Sequence, residues 1–182
     1  MRERQASEGA RRAPEFESFV AGAAGRLLHA ATLLTAEAPD DNPRARRLLT
    51  LALAHTYACW DRLRGDDPYE RARRHLAVRF AREAWRSRAV PGRARPLLPG
   101  ALAALTPQER LIVVLGLYEG VAEEQAAALL GLPAERVRVI SDRAVAALTH
   151  HPPRGPARTT SAAIGRGGDG RTSGDADGRG GA

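Results

Sequence analysis

Lysine is absent from this sequence, cysteine occurs once, and aromatic residues make up only 4% of its 182 residues. The single cysteine, Cys59, excludes an internal disulfide framework and a cysteine-based zinc site. The longest apolar stretches, 27–36 and 111–118, fall short of the roughly 20 residues that a membrane-spanning helix needs. The first residues carry charge and no apolar run follows them, so we expect no secretory signal, no membrane partner and a cytoplasmic protein.

All 28 basic residues are arginines, and the formal net charge is +7 with an isoelectric point near 11.0. Such a charge favours a polyanionic partner. The positive charge is unevenly placed: residues 62–95 hold eleven arginines and four acids, whereas residues 105–149 hold four arginines and six acids. The first half of the chain is therefore the stronger candidate for binding nucleic acid.

Apolar residues recur at steps of three and four from residue 15 to about residue 88 and again from 101 to 149, which is the period of amphipathic helices. Proline and glycine interrupt this period at 38–43 and 91–100. The last 32 residues hold nine glycines and too few apolar side chains to form a core. The sequence therefore predicts an all-α protein with a flexible arm at 1–14, a small domain at 15–90, a short linker at 91–100, a second small domain at 101–150 and a disordered tail at 151–182.

Two segments have the pattern of a helix start. Asp67 precedes Pro68 and is followed three residues later by Glu70, and Thr106 stands in the same relation to Glu109. In such a capping box, each side chain accepts a hydrogen bond from a backbone amide that the helix leaves unpaired. We expect helices to begin at both places.

The spacing of four residues in the second domain suggests a helix-turn-helix. Ala127 would allow close helix approach, Gly131 would permit a left-handed turn, and Val137 and Ile140 would supply core contacts. A plain three-helix bundle that uses the same packing remains an alternative. In the DNA-reading interpretation, the outward face of the last helix carries Pro133, Ala134, Glu135, Arg136, Arg138, Val139 and Asp142.

The helix expected from residue 67 to 88 has one apolar face and one basic face. The basic face carries an aromatic residue among arginines: Arg71, Arg74, Arg79, Arg82, Trp85 and Arg86. An exposed indole can stack on an unpaired base while guanidinium groups bind phosphates. The alternative is a solvated basic face with Trp85 tucked between the domains.

Several segments of the chain resemble, in unbroken order, actinobacterial SigE-type extracytoplasmic-function sigma factors of the sigma-70 family. Domain two of these factors is resembled by residues 15–20, 26–35, 57–63 and 66–88, and domain four by residues 105–144. The resemblance implies a transcription initiation factor whose partners are core RNA polymerase and promoter DNA, and it admits an anti-sigma factor as well. Domain two would capture the −10 element and domain four would read the −35 element. Arg138 would then enter the major groove, with Arg136 and Arg143 flanking it toward the phosphates.

The resemblance also implies where polymerase binds. Residues 44–51 stand where the family carries an acidic run that grips polymerase, and Leu48 and Leu49 are the two apolar positions retained there. Arg44, Arg46 and Arg47 replace the acids, which turns attraction to a basic partner surface into repulsion. A second interpretation therefore stays open: a degenerate sigma-like protein that binds DNA or a sigma-factor regulator without productive binding to core polymerase.

No pattern in the sequence indicates catalysis. His29, His55 and His75 fall on separate predicted helices with no nucleophile paired to them, and no glycine-rich loop precedes a helix to cradle phosphate. We expect no enzymatic activity, no catalytic residue, no metal and no cofactor.

Overall fold

The structure is a computed structural model that describes the backbone of residues 2–63, 65–88 and 101–150 and the side chains of residues 11–63, 65–86 and 101–150. These residues form six α-helices and no strand: α1 Arg2–Thr35, α2 Pro43–Ala58, α3 Pro68–Arg88, α4 Pro107–Val113, α5 Glu123–Leu130 and α6 Ala134–Thr149. The predicted all-α fold is confirmed. The predicted linker at 91–100 and tail at 151–182 lie outside the described residues.

The expectation of a flexible arm at residues 1–14 is wrong, because α1 already begins at Arg2 and continues through Pro14. Residues 2–13 lack an apolar stripe but consist largely of arginine, glutamate, glutamine and alanine, which favour helix without one. Arg12 also ties this end of α1 to the rest of the molecule. Its guanidinium pairs with Asp61 at 3.0 Å, donates to the Tyr57 carbonyl and lies 4.2 Å from the centre of the Tyr57 ring.

The first three helices form the amino-terminal half of the molecule. The predicted turn at 38–43 is confirmed, with α1 ending at Thr35 and α2 beginning at Pro43. Glu37 accepts hydrogen bonds from the backbone amides of Arg44 and Ala45 at 3.1 and 2.9 Å, and so supplies the acceptor that the start of α2 needs. The largest buried side chains of this half come from all three helices: Leu27, Leu34, Leu48, Leu76 and Phe80.

Helix α3 begins as predicted, with Asp67 as its side-chain cap, although the capping box with Glu70 does not form. Asp67 Oδ1 accepts from the Tyr69 amide at 2.8 Å. Within the described residues, the Glu70 carboxylate makes no bond back to Asp67 and lies instead 4.0 Å from Arg73. One side-chain acceptor is therefore sufficient to start this helix.

Residues 101–150 form the carboxy-terminal half. Its capping box is complete: Glu109 accepts from the Thr106 amide at 2.8 Å, and the Thr106 hydroxyl accepts from the Glu109 amide at 3.3 Å. Helix α4 then widens into a π-helical turn at Val114–Tyr118, a change that apolar periodicity does not signal. Gly131 ends α5 with φ +66°, the left-handed conformation that the sequence predicts at that position.

The two halves share one hydrophobic core. Ala30, Ala31 and Leu34 of α1 belong to the same buried cluster as Leu111 and Ile112 of α4. Arg110, only 4% exposed, donates through Nη1 to the Leu34 carbonyl across the boundary at 2.9 Å. Its other donors reach the carbonyl oxygens of Leu102 and Leu105. In this structure, the two predicted domains are therefore packed directly against each other.

A buried carboxylate stands at the centre of this boundary. The Glu119 side chain is 1% exposed, and its two oxygens accept from the Tyr69 hydroxyl at 2.9 and 3.0 Å. Arg26 of α1 and Arg73 of α3 lie 3.6 and 3.9 Å from the same carboxylate. Burial, together with the hydrogen bond to Glu119 and its negative charge, raises the pKa of Tyr69. One acid from the carboxy-terminal half thus joins two helices of the amino-terminal half.

Tyr69→Phe tests how much this contact contributes to stability. A hydrogen bond to a charged group contributes about 1.5–3 kcal/mol, so we expect a loss of that size in the free energy of unfolding at neutral pH. The ordinary pKa of tyrosine is 10.0 and that of folded Tyr69 is higher, so the unfolded chain loses its proton first. The free energy of unfolding of the wild type should therefore fall as the pH rises above 10.0, the ordinary pKa of tyrosine. The difference in free energy of unfolding between the wild type and Tyr69→Phe should narrow over the same range.

Denaturant unfolding of both proteins at neutral pH and above pH 10 measures both effects. Tyr57→Phe is the matched control, because Tyr57 is 39% exposed and its hydroxyl makes no hydrogen bond within the described part of the chain. Equal stability of Tyr69→Phe and Tyr57→Phe at neutral pH would contradict the assigned role of Tyr69.

Candidate nucleic-acid interface

Helix α3 has an inner and an outer face. Its inner face packs into the core through small and large apolar residues: Ala72, Leu76, Ala77, Phe80 and Ala81. Positions 71, 74, 78, 82 and 85 repeat at steps of three and four, so they lie together on the opposite face. Arg74, Arg82 and Arg86 are exposed, and Arg71 and Arg79 are half-buried. The predicted basic residues of α3 are thus displayed on one side of the molecule.

Trp85 lies on this basic face with 48% of its surface exposed. The alternative in which its ring fills a groove between the halves does not apply to this conformation, because the ring is open to solvent. Arg82 and Arg86 occupy positions one turn before it and directly after it. A base stacked on the indole would therefore have guanidinium groups within reach of its phosphates.

Among the described side chains of α3, most arginines form no ion pair with an acid, and the exceptions are Arg73 and Arg79. Arg79 pairs with Glu83 at 3.4 Å, and Arg86 Nε donates to the Arg82 carbonyl at 3.3 Å. Arg74 and Arg82 form no ion pair with any acid among the described residues. This surface can therefore accept phosphate groups without first breaking an internal ion pair at those two positions.

A pair of stacked histidines joins α2 to this face. The rings of His55 and His75 lie 4.0 Å apart with an interplanar angle of 17°. Burial lowers the pKa of His75, and the neighbouring His55, Arg79 and Arg82 lower it further. No pattern in the sequence predicts this contact, because the two histidines lie on different helices and meet only through the register of α2 against α3.

The second turn of α2, which carries Leu48 and Leu49, does not present the expected apolar patch. Leu48 is 2% exposed and belongs to the central core, so in this conformation it is not available to a partner protein. Leu49 is half-buried against a smaller cluster that includes Ala23 and Leu27. Leucine at position 48 fits the core because Ala45, Leu48 and Ala52 share the inner face of α2.

The arginines in the first two turns of α2 are all exposed. Arg44, Arg46 and Arg47 lie on the solvent side of α2, and Arg46 Nε donates to the Asn42 side-chain oxygen at 2.9 Å. None of the three forms an ion pair within the described residues. The surface where the resemblance implies acids is therefore basic and open to solvent.

In the carboxy-terminal half, the predicted helix-turn-helix contacts form. Ala127 is 5% exposed, Val137 1% and Ile140 7%, and Gly131 makes the left-handed turn between α5 and α6. Burial of Val137, Ile140 and Ala144 leaves Glu135, Val139 and Asp142 on the outward face of α6.

Two of the three arginines predicted to contact DNA from α6 are already paired within the molecule. Arg138 Nε donates to Glu123 of α5 at 3.1 Å, which raises the pKa of the arginine, and Glu135 lies 3.8 Å away. Arg143 contacts Glu109 of α4 at 2.7 and 2.8 Å. Arg136 is exposed and forms no ion pair within the described residues. Arg138 and Arg143 are therefore held by acids and are not free to bind DNA without breaking these pairs.

The Glu109 contact combines a helix cap with an ion pair. Burial alone would raise the pKa of Glu109, but hydrogen bonds from the Thr106 backbone and hydroxyl and from Arg143 lower it below its usual value. The carboxylate therefore stays ionised and joins Arg143, in the interior of α6, to the start of α4.

The residues at the boundary between the halves were also missed from the sequence. Glu119 is separated along the chain from Tyr69 by 50 residues and lies next to Gly120 with no local pattern around it. Arg26 and Arg73 resemble the other surface arginines in sequence. Only their shared approach to one buried carboxylate distinguishes them.

Comparison with known proteins places this arrangement in a family. Residues 101–150 match the family model described as sigma-70, region 4. Over 152 residues, the chain is 31% identical to the RNA polymerase sigma-E factor of Streptomyces coelicolor, covering 74% of this chain and 84% of the relative. The RNA polymerase sigma-E factor of Streptomyces avermitilis is also 31% identical, with 74% and 83% covered. The chain belongs to the extracytoplasmic-function group of the sigma-70 family. No solved structure matches it.

The region-4 match in this sigma factor spans α4, α5 and α6, so it includes the turn at Gly131 and the outward face of α6. The basic face of α3 lies outside that match. Across the ranges that the structure describes, the sigma factor has no helix long and apolar enough to cross a membrane.

Proposed function

We propose that this sigma factor directs core RNA polymerase to specific promoters by binding promoter DNA, and that it does so in the cytoplasm without catalysis of its own. The observation that carries the proposal is the helix-turn-helix at residues 101–150, which matches sigma-70 region 4 and stands in the same chain as an arginine- and tryptophan-bearing helix. Two binding surfaces of different chemistry suit a protein that contacts both paired and unpaired DNA.

In this proposal, each of the two surfaces binds a different promoter element. Residues 15–90 bind the −10 element through the basic face of α3, where Trp85 offers a stacking surface for an unpaired base. Residues 101–150 bind the −35 element as a duplex through α6. The basic charge of residues 62–95 supplies most of the attraction to DNA, because α6 carries acids beside its arginines.

Binding both elements at once requires the halves to separate. A packed body of about 150 residues has a radius of gyration of about 15 Å and is about 40 Å across. The −10 and −35 elements lie about 25 base pairs apart, which is about 85 Å of duplex at about 3.4 Å per base pair. The contact around Glu119 and Tyr69 must therefore open when both surfaces engage one promoter.

The test of the function is binding to purified core polymerase, with and without acids restored at positions 46 and 47 of α2. We expect the wild-type chain to co-purify with core polymerase at low salt. Arg46→Glu combined with Arg47→Asp should tighten this binding, because acids there attract a basic partner surface.

The control for that test is Arg11→Glu with Arg62→Glu, which makes the same change in net charge at exposed arginines outside α2. It should leave the affinity for polymerase nearly unchanged. Failure of both the wild-type chain and the acid-restored variant to bind core polymerase at low salt would contradict the initiation function. The degenerate sigma-like interpretation would then stand in its place.

Trp85→Ala should weaken binding to single-stranded −10-like DNA by about 1–3 kcal/mol, the contribution of one stacked base. The free energy of unfolding should hardly change, because the ring is 48% exposed, whereas losing a fully buried tryptophan costs about 3–5 kcal/mol. Fluorescence anisotropy and denaturant unfolding measure the two quantities separately.

Trp85→Phe keeps an aromatic surface at the same position and should recover most of the lost DNA affinity. Wild-type binding should also weaken with salt, with a log–log slope of about −0.7 for each neutralised phosphate. Unchanged DNA affinity of Trp85→Ala together with a large loss of stability would assign Trp85 to the fold.

Separation of the halves can be followed by energy transfer between dyes at Ala54→Cys on α2 and Ala147→Cys on α6, both exposed, in a Cys59→Ala background. We expect the transfer efficiency to fall when core polymerase and a promoter duplex are added together. A dye pair at Ala21→Cys and Ala54→Cys, within the amino-terminal half, should show no change. An unchanged efficiency for the first pair in a complex that has formed would show that the packed arrangement persists on DNA.

A further inference from the structure

An apolar side chain lies in the middle of the outward face of α6. Residues 135, 139, 142 and 146 follow one another at steps of four, three and four, so they form one line along the helix. Val139 stands in the middle of this line with 59% of its surface exposed, between Glu135 and Asp142. The opposite side of the helix is the buried one, formed by Val137, Ile140 and Ala144. A ligand that approaches α6 from outside therefore meets Val139 near the centre of the contact.

The fold itself does not need valine at this position. Val139 is exposed and belongs to none of the buried clusters, and a β-branched residue is a weaker helix former than alanine or leucine. Single exposed apolar residues are common on protein surfaces, so exposure alone says little. Val139, however, lies on the outward line of α6, the second helix of the helix-turn-helix. The second helix of this motif enters the major groove, so the position of Val139 indicates a contact with DNA.

The neighbouring cations cannot take over the centre of this face without breaking existing contacts. Arg138 is held by Glu123 at 3.1 Å, and Arg143 is held by Glu109 at 2.7 Å. Arg136, which is exposed, lies to one side of the outward line. The carboxylates of Glu135 and Asp142 repel phosphates, so the middle of the line suits a base edge better than the DNA backbone.

We propose that Val139 is a specificity-determining residue that recognises the 5-methyl group of a thymine in the −35 element. Thymine is the base that presents a methyl group in the major groove, and an apolar side chain is the group that recognises it. Valine offers two methyl groups at that position without a polar atom that would need a partner. The inference rests on the proposed binding of duplex DNA by α6 and adds to it the base that is read and the residue that reads it.

The test replaces thymine by deoxyuridine, which removes the methyl group and leaves every hydrogen-bonding group of the base pair in place. The probe is a duplex that the full chain selects from a randomised pool, with its thymines replaced one at a time. We expect one position at which deoxyuridine weakens wild-type binding about fourfold, the effect of removing one buried methyl group from the contact.

Val139→Ala should bind the thymine duplex about as weakly as the wild type binds the deoxyuridine duplex, and it should no longer distinguish the two. Leu117→Ala is the matched control, because Leu117 is a 69% exposed apolar residue outside α6. It should keep the wild-type difference between thymine and deoxyuridine. Thermal unfolding of both variants checks that neither substitution disturbs the fold.

The outcomes separate this inference from the function on which it rests. Selection of a specific duplex with no loss at any deoxyuridine position would overturn the role of Val139 and leave duplex binding intact. A difference between thymine and deoxyuridine that persists in Val139→Ala would overturn it as well. Failure to select any duplex would overturn the binding of duplex DNA by α6, and the role of Val139 with it.

Discussion

Glu119 is a carboxylate whose side chain is 1% exposed, and a carboxylate so far removed from water must be matched by donors and cations. Its partners are the Tyr69 hydroxyl and the guanidinium groups of Arg26 and Arg73, all from the amino-terminal half. Nearby, Arg110 reaches the Leu34 carbonyl across the same boundary. These polar contacts have directions, whereas the apolar core around them does not. They therefore fix how the halves sit against each other.

The inner surfaces of both halves form this boundary, and the proposed DNA-binding surfaces lie on the outside of the molecule. The basic face of α3 lies opposite its buried residues, and the outward line of α6 lies opposite Val137, Ile140 and Ala144. Either surface can meet DNA in the packed arrangement. In the proposed function, distance prevents the two from reaching separate promoter elements together. Promoter and polymerase binding must therefore overcome the free energy of the whole boundary, which includes the shared apolar core and the Glu119 contact.

The two surfaces differ in how they can bind DNA. The α3 face has arginines without acidic partners and an exposed indole, which suits strong, salt-dependent binding with little dependence on sequence. On α6, the acids hold Arg138 and Arg143, so less charge is available for phosphates. Such a helix depends on shape and on contacts to base edges for its selectivity. In the proposed function, attraction to DNA is thus assigned to the amino-terminal half and discrimination between sequences to the carboxy-terminal half.

Features that depend on residues close in the chain were determined by the sequence. The capping box of Thr106 and Glu109, the turn at Gly131 and the basic face of α3 each follow from short spacings, because helix geometry places residues three or four apart side by side. Pairings between distant residues were decided by the tertiary structure. No local pattern marks Glu119 as the partner of Tyr69 or Glu109 as the partner of Arg143. A side chain's partners and its exposure depend on which helices pack against it, and that packing is a property of the whole fold.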